Sequence, residues 1–434
     1  MKRAPVAVAA VVLVSAAAIV YHNALSASFF DDDFQWLVGS WSFHPSQLVA
    51  FGTLSHFYRP VIDLYFAAAT PLFHGSPVLF HLASIVLHAA NALVIFALAR
   101  TIARSSLFGF LTALFFVIQP SDIDAIAWVG ALAEAIGAFF GCLSLLFFLL
   151  EGGSFRTRRS GDGRPRWREL SVLAFLLALL THESSVVFLP VLALADWAFV
   201  RRVPKDPPST NIVLTYAPYV VLTLMYLAVD LVVNSRNYIV SQGHYTIGLH
   251  VVQNALDYID ALYVGRRDAL NYAVIAVGVA LLLVRGSRRV KFATGWMLLA
   301  LAPFLFFNWA NTSRYLYQPA IGFSMLLAEA VMYLDRVMRP KVPSPARAAM
   351  LTMLVAGIAV RFALFAMGNV KDFADRTQVY PDYLARFREI HGELASHTVV
   401  PPDPRLDVKL PYQFVNAAVQ WEYRDPTIQV TPYD

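Results

Sequence analysis

Long apolar runs separated by short charged segments set the pattern of this chain. Ala4–Tyr21, Val78–Ala99, Phe139–Leu150, Ile212–Val233, Ala269–Val284 and Leu351–Met367 are almost free of charge. A helix needs roughly 20 apolar residues to cross a bilayer core of about 30 Å. Inside lipid every backbone N–H and C=O must be paired within the segment, which predicts helices for these runs. The short alternating segments of a β-barrel are not seen. The pattern therefore predicts an all-α, polytopic transmembrane helical bundle.

Basic residues mark which loops share a side. Arg100 and Arg104 form one group, and Arg156, Arg158, Arg159, Arg164, Arg166 and Arg168 a second. Arg201, Arg202 and Lys205 follow, then Arg285, Arg288, Arg289 and Lys291, then Arg336, Arg339, Lys341 and Arg347. Positive charge gathers in cytoplasmic loops, so these groups and the N-terminus are expected inside. The crossings that fit are Ala4–Tyr21, Pro77–Ala99, Leu107–Ile118, Ile123–Leu150, the short out-and-back pair Leu170–Leu180 and Val186–Val200, Ile212–Val233, Ala269–Val284, Phe292–Trp309, Tyr315–Leu334 and Leu351–Met367. That is about 11 spans, with Asn23–Ser76, Asn234–Asp268 and the C-terminal segment outside. An uncleaved first helix is the simpler reading of the N-terminus. Gly248–Val264 is half polar and Tyr58–Phe73 partly so, and both are expected to lie along the outer interface. The division expected is a transmembrane domain over residues 1–367 and an extracytoplasmic C-terminal appendage over 368–434, rich in proline and charge.

Composition agrees. The 434 residues are 58% hydrophobic and only 15% charged, too little charge to cover a soluble protein of this length. The net charge of +5 sits in the loops, which favours a topological signal over a nucleic-acid surface. Cys142 is the single cysteine and lies in an apolar run, so no disulfide framework exists within one chain.

Candidate chemistry concentrates on the outer side. Phe29-Phe30-Asp31-Asp32-Asp33-Phe34 follows the first span. Three adjacent carboxylates repel one another, and one pKa should rise unless a cation is near. One of them can serve as a general base toward a hydroxyl. The plainer alternative is a solvated acidic turn or helix cap. Carboxylates also bind divalent cations; Asp31, Asp32 and Asp124 are the candidate ligands, although no spacing demands an ion. Arg59, Asp122, Asp124, Glu134, His182, Glu183 and Arg314, with Tyr315 and Tyr317, fall on the same side by this topology. Ionisable groups at membrane depth are costly and are functional candidates by default. His81, His88 and Asn91 on the second span read as hydrogen-bonding packers between helices. An acidic loop beside Arg and His suits a substrate with a phosphate at the membrane and a hydroxyl in water. The carboxylate would take the proton and the cations would steady the departing phosphate.

Six stretches in order carry a resemblance: Phe30–Phe34 (FDDDF), Tyr58–Pro60 (YRP), Phe80–Asn91 (FHLASIVLHAAN), Gln119–Glu134 (QPSDIDAIAWVGALAE), Leu179–Pro190 (LLTHESSVVFLP) and Arg314–Phe323 (RYLYQPAIGF). The chain resembles the C-type-fold membrane glycosyltransferases that use polyprenyl-phosphate sugars. It is most similar to the transmembrane O-mannosyltransferases that carry tetratricopeptide repeats, and to their bacterial relatives. The resemblance implies inverting transfer of a sugar on the outer face of a bacterial inner membrane, from a polyprenyl-phosphate-linked sugar to a hydroxyl of a protein or glycan. It implies a base at Asp31, Asp32 or Asp33, with Asp32 first, and contacts to phosphate or acceptor from Arg59 and Arg314. The chain departs from the family pattern at Gln119 (often His), Leu132 (often Arg) and His182 (often Lys), and it lacks the repeats. His182 is expected to carry charge only partly near neutral pH. On sequence alone a transporter or flippase, or a catalytically silent membrane scaffold, are the other classes in view.

Overall fold

The computed structural model describes residues 4–48, 57–152, 166–200, 212–234, 242–309, 312–401, 403, 405–406 and 410–431. Its helices, in chain order, are α1 (Ala4–Tyr21), α2 (Asp33–Trp41), α3 (Pro60–Leu72), α4 (Pro77–Ala103), α5 (Ser106–Val117), α6 (Asp124–Ala127), α7 (Leu132–Glu151), α8 (Trp167–Leu179) and α9 (Phe188–Ala195). They continue with α10 (Ile212–Asn234), α11 (His250–Leu262), α12 (Ala269–Arg285), α13 (Arg288–Leu301), α14 (Tyr317–Met338), α15 (Ser344–Thr377), α16 (Val379–His391) and α17 (Tyr412–Tyr423). The only sheet among the described residues is the parallel pair β1 (Val399–Val400) and β2 (Gln429–Val430).

A helix lies over each of the 11 apolar segments. Six are long and apolar enough by length and composition to cross a membrane: Val6–Ser26, Pro77–Ala103, Val129–Glu151, Glu183–Val200, Val213–Val233 and the stretch beginning at Ser344. The chain is an integral membrane protein. The remaining segments fall short for visible reasons. With 12 residues, α5 rises only about 18 Å. The first turns of α8 and α13 carry Arg168, Glu169, Arg288, Arg289 and Lys291.

Helices approach closely where side chains are small, since van der Waals contact rather than water drives their association in lipid. A methyl group at Gly109 would stand 2.7 Å from the Phe96 carbonyl of α4, and one at Gly322 would stand 2.5 Å from the Ala293 carbonyl of α13. Only glycine allows α5 and α14 to lie so near. Polar side chains tie the same interior together. His88 bonds through Nδ1 to the Tyr317 hydroxyl at 2.9 Å, and Asn91 donates to the Ala135 carbonyl at 3.0 Å. The expected role of these two as helix packers is what their bonds show.

The ends of the bundle differ. At one end Glu329 pairs with Arg289 (3.1 Å) and Arg336 (3.0 Å), Arg347 pairs with Asp335 (2.8 Å), and Arg289 lies over the Phe108 ring. These are members of the basic groups; Arg156, Arg158, Arg159, Arg164, Arg201, Arg202 and Lys205 lie outside the described residues. At the other end sit the acidic triplet, Arg59, His182 and Arg314.

Residue 368 falls inside α15, which runs unbroken to Thr377. The chain then turns into α16, and α17 packs on α2: Trp421 stacks on Trp41 at 5.3 Å between ring centres and meets Phe29 edge-on at 6.1 Å. The C-terminal segment is thus built onto the end of the bundle that holds the acidic triplet.

Candidate active site

The acidic triplet is shaped by the way the chain leaves α1. A single 3-10 turn, His22–Ser26, follows Tyr21, and Ala27–Phe30 run on before α2 begins at Asp33. Asp31 has a φ of 47°, the left-handed region, which costs a non-glycine residue about 1 kcal/mol or more. This turn sends the three carboxylates in different directions. Asp33 is spent on structure: Oδ2 accepts the Phe30 N–H at 2.8 Å and Oδ1 accepts the Gly130 N–H. Asp31 accepts the Tyr380 hydroxyl at 2.7 Å. Asp32 Oδ1 is buried with no hydrogen-bond partner among the described residues. The helix-cap alternative is not what the triplet does, since Asp32 at the N-cap of α2 makes no side-chain cap bond; Asp33 is spent on the loop, and the chemistry is open to Asp32.

Asp32 lines a cavity of about 460 Å³, within the size range of small-molecule sites. Its polar wall is made of Asp32, Arg59, Glu134, His182, Glu183, Ser184, Asp230 and Arg314. Its apolar wall includes Val186, Leu227, Leu231, Phe304, Phe307 and Trp309. Leu231 is 72% exposed on α10, so this wall continues onto the exposed apolar face of that helix. Phe304 stacks on Tyr315 at 4.2 Å and Phe307 on Trp309 at 4.4 Å, a run of ring faces along one side.

Three groups of contacts organise the polar wall. Arg59 holds Glu183 with two bonds, Nη2 to Oε1 at 2.6 Å and Nε to Oε2 at 3.0 Å. Glu134, buried in α7, accepts from Ser184 Oγ at 3.2 Å and from Gln318 at 3.3 Å. Among the described residues the hydrogen bond of Arg314 is to the Tyr315 hydroxyl at 3.4 Å, and its guanidinium rests over Trp128 at 4.9 Å. Among the described residues no carboxylate lies within 4.0 Å of it. Arg59 is consumed by its partner; Arg314 keeps its charge available to the cavity.

Burial raises the Asp32 carboxyl to about 6, with Arg314 opposing and the neighbouring Asp31 adding to the rise. Burial likewise raises Asp31, offset by Tyr380 and Arg376, and raises Asp33, which feels Asp32 beside it. The expectation of a partly charged His182 is corrected: burial lowers it to about 3, because desolvation outweighs the attraction of Glu183. Its Nδ1 accepts the Ser184 N–H at 3.1 Å, which places the proton on Nε2, 3.6 Å from Glu134 Oε1. His182 is a neutral hydrogen-bonding member of the wall.

Asp31 faces the opposite way, into a wider cavity of about 1110 Å³ shared with Ser121, Asp124, Asp257, Asp260, Ser313 and Arg376. Of the residues expected at the site, Asp32, Arg59, Glu134, His182, Glu183, Arg314 and Tyr315 share the narrower cavity, and Asp31 and Asp124 the wider one. Asp122 is fully buried beside them, its carboxyl raised by burial, and lines neither. Tyr317 is not at the cavity either: it is buried on His88, with its ring against Phe116. Among the described residues no group of three or more His, Cys, Asp or Glu could hold a metal ion. The set Asp31, Asp32 and Asp124 fails because the triplet's turn sends its members into separate cavities.

Sequence reasoning missed Gly130, Gln318, Tyr380 and Asp230. Gly130 carries a signal only in hindsight of the turn: a methyl group there would collide with the Asp32 carboxylate. Gln119, at a departure from the family pattern, donates to the Leu262 carbonyl at 3.1 Å and braces α11.

No protein-family model and no curated protein sequence matches the chain. Solved structures do. ArnT from Cupriavidus metallidurans bound to undecaprenyl phosphate aligns with a TM-score of 0.53 at 16% identity, over 98% of this chain and 86% of that one. The oligosaccharyltransferase AglB from Archaeoglobus fulgidus, in complex with an inhibitory peptide and a dolichol-phosphate, aligns with a TM-score of 0.55 at 14% identity, over 99% of this chain and 65% of that one. The Archaeoglobus fulgidus oligosaccharyltransferase tethered with an acceptor peptide gives 0.55 at 12%, over 99% and 64%. Over almost its whole length, then, this chain has the C-type fold of the membrane glycosyltransferases.

Proposed function

We propose that this protein is a membrane glycosyltransferase that moves a sugar from a polyprenyl-phosphate donor to a hydroxyl acceptor, with inversion and with Asp32 as general base. The observation that carries the reading is one cavity holding two opposite and uncommitted groups. Asp32 Oδ1 is buried without a partner, and Arg314 has no carboxylate within 4.0 Å among the described residues. The apolar wall that runs onto α10 suits a prenyl chain entering from the bilayer. The fold neighbours support the same reading, since ArnT binds undecaprenyl phosphate and AglB a dolichol-phosphate.

The acceptor hydroxyl meets Asp32 in the narrower cavity and attacks the anomeric carbon from the face opposite the phosphate. Asp32 takes the hydroxyl proton. The bond between the anomeric carbon and the phosphate oxygen breaks, and the electron pair leaves on the polyprenyl phosphate. Arg314 stabilises the charge gathered there, with Arg59 held nearby by Glu183. Asp32 is suited to the task because a base works best when its pKa lies near the working pH.

The site lies on the outer face and both ends of the chain follow the charge pattern: N-terminus inside, C-terminus outside. A reporter fused after Gly163 should read cytoplasmic and one after Asp434 extracytoplasmic. The activity test is transfer from polyprenyl-phosphate sugars by the reconstituted protein, wild type against Asp32→Asn. Loss of at least about 100-fold is expected for removal of a general base. Equal transfer by both proteins would reject Asp32 as the base.

A further inference from the structure

We infer that Tyr380, at the start of α16, is a positioning residue that latches the acidic loop in its working shape. The inference rests on the reading of Asp32 as base, and it assigns the C-terminal segment a part in the same site.

The contacts converge on the loop from one direction. Tyr380 is fully buried, and its hydroxyl donates to Asp31 Oδ1 at 2.7 Å. Its ring fills the gap between the two aromatics that flank the triplet, 5.7 Å from Phe30 and 5.1 Å from Phe34. One turn earlier, Thr377 Oγ1 accepts the Ser28 N–H at 2.9 Å, and Gln378 donates to the Ser26 carbonyl at 3.2 Å. Side chains at 377, 378 and 380 therefore grip the loop at 26, 28 and 31.

The grip has a definite task. Asp31 stands in the left-handed region without being glycine. Such a conformation persists only where surrounding contacts over-determine it. On the far side the loop is held through Asp33 and the Gly130 N–H. Between these anchors the chain must turn, and the turn directs Asp32 into the narrower cavity and Asp31 into the wider one. With the phenol bond removed, Asp31 can relax toward ordinary backbone angles, and the Asp32 carboxylate swings with it. Tyr380 touches no substrate in this account; it acts through Asp31.

The test uses the full chain in lipid nanodiscs, as wild type, Tyr380→Phe, Asp31→Ala and the double variant. Tyr380→Phe keeps the ring packing and deletes only the donor. Amide hydrogen exchange over residues 26–36 should rise about tenfold in Tyr380→Phe, the scale of one hydrogen bond to a carboxylate, with the rest of the chain unchanged. Turnover should fall by a similar factor while KM for the lipid donor stays the same. In the Asp31→Ala background Tyr380→Phe should add nothing, because the two changes remove one shared bond. Unchanged exchange over 26–36, or a full additional effect of Tyr380→Phe on Asp31→Ala, overturns the inference. Should the wild type transfer sugar from no polyprenyl-phosphate donor, the glycosyltransferase reading falls, and the exchange comparison still decides the latch.

Discussion

Asp32→Asn should make this protein more stable while it destroys transfer. The carboxyl is raised from its ordinary 3.8 to about 6 by burial. A group whose folded pKa is raised favours folding fully below its unfolded pKa, and that contribution is lost as pH climbs through the folded value. Two units at about 1.4 kcal/mol each give a penalty of up to about 3 kcal/mol at pH 7.5, where the unfolded chain ionises Asp32 freely and the fold resists it. At pH 4 little of that penalty has developed, under about 1 kcal/mol by the same relation. Asparagine has nearly the same shape and never ionises. In nanodiscs, followed by tryptophan fluorescence on heating, Asp32→Asn should therefore melt several degrees higher than wild type at pH 7.5, and the gap should close toward pH 4. Strain held at a working site and released by its removal is a common trade between stability and activity. If Asp32→Asn melts at or below wild type at pH 7.5, the carboxylate is not held against its solvation, and the argument for a poised base fails.

The same shift sets the pH dependence of transfer. The base must be ionised, so the rate should climb through pH about 6 and level off above pH 7; a flat profile between pH 5 and 7 would contradict the assignment. Gly130→Ala should cut transfer by tenfold or more in a chain that still inserts and folds, because the new methyl meets the Asp32 carboxylate; normal rates would show that the loop has room to move. Arg59→Ala leaves Glu183 without its two bonds and should destabilise on the order of 2 kcal/mol. The Arg59→Ala/Glu183→Ala pair should cost less than the sum of the two single changes, read from melting in a double-mutant cycle.

Much of the fold was legible because lipid imposes a length and a pairing rule that sequence displays directly. Each apolar segment became a helix, and Arg289, Arg336 and Arg347 of the basic groups meet at the end opposite the triplet. Span-by-span length was less legible: α5 is only 12 residues long and packs its glycine against α4. At the site, Asp32, Arg59, Glu134, His182, Glu183 and Arg314 were visible as charges out of place in an apolar chain, whereas Asp230, set inside the run of α10, was not. Tyr317 was misjudged because a tyrosine in an Arg-Tyr-Leu-Tyr run gives no sign of which ring turns inward; a helical turn separates its side chain from that of Arg314. Tyr380 was invisible for a different reason. Its partner is Asp31, 349 residues earlier, and nothing local in the sequence encodes so distant a contact.

That distance has a bearing on biosynthesis. Ser26 leaves the ribosome early, and Gln378, which holds it, emerges 352 residues later. The acidic loop is held by α1 at one side and by the end of α15 and the start of α16 at the other, so a chain stopped before residue 377 has the described polar wall but lacks the bonds that grip the loop.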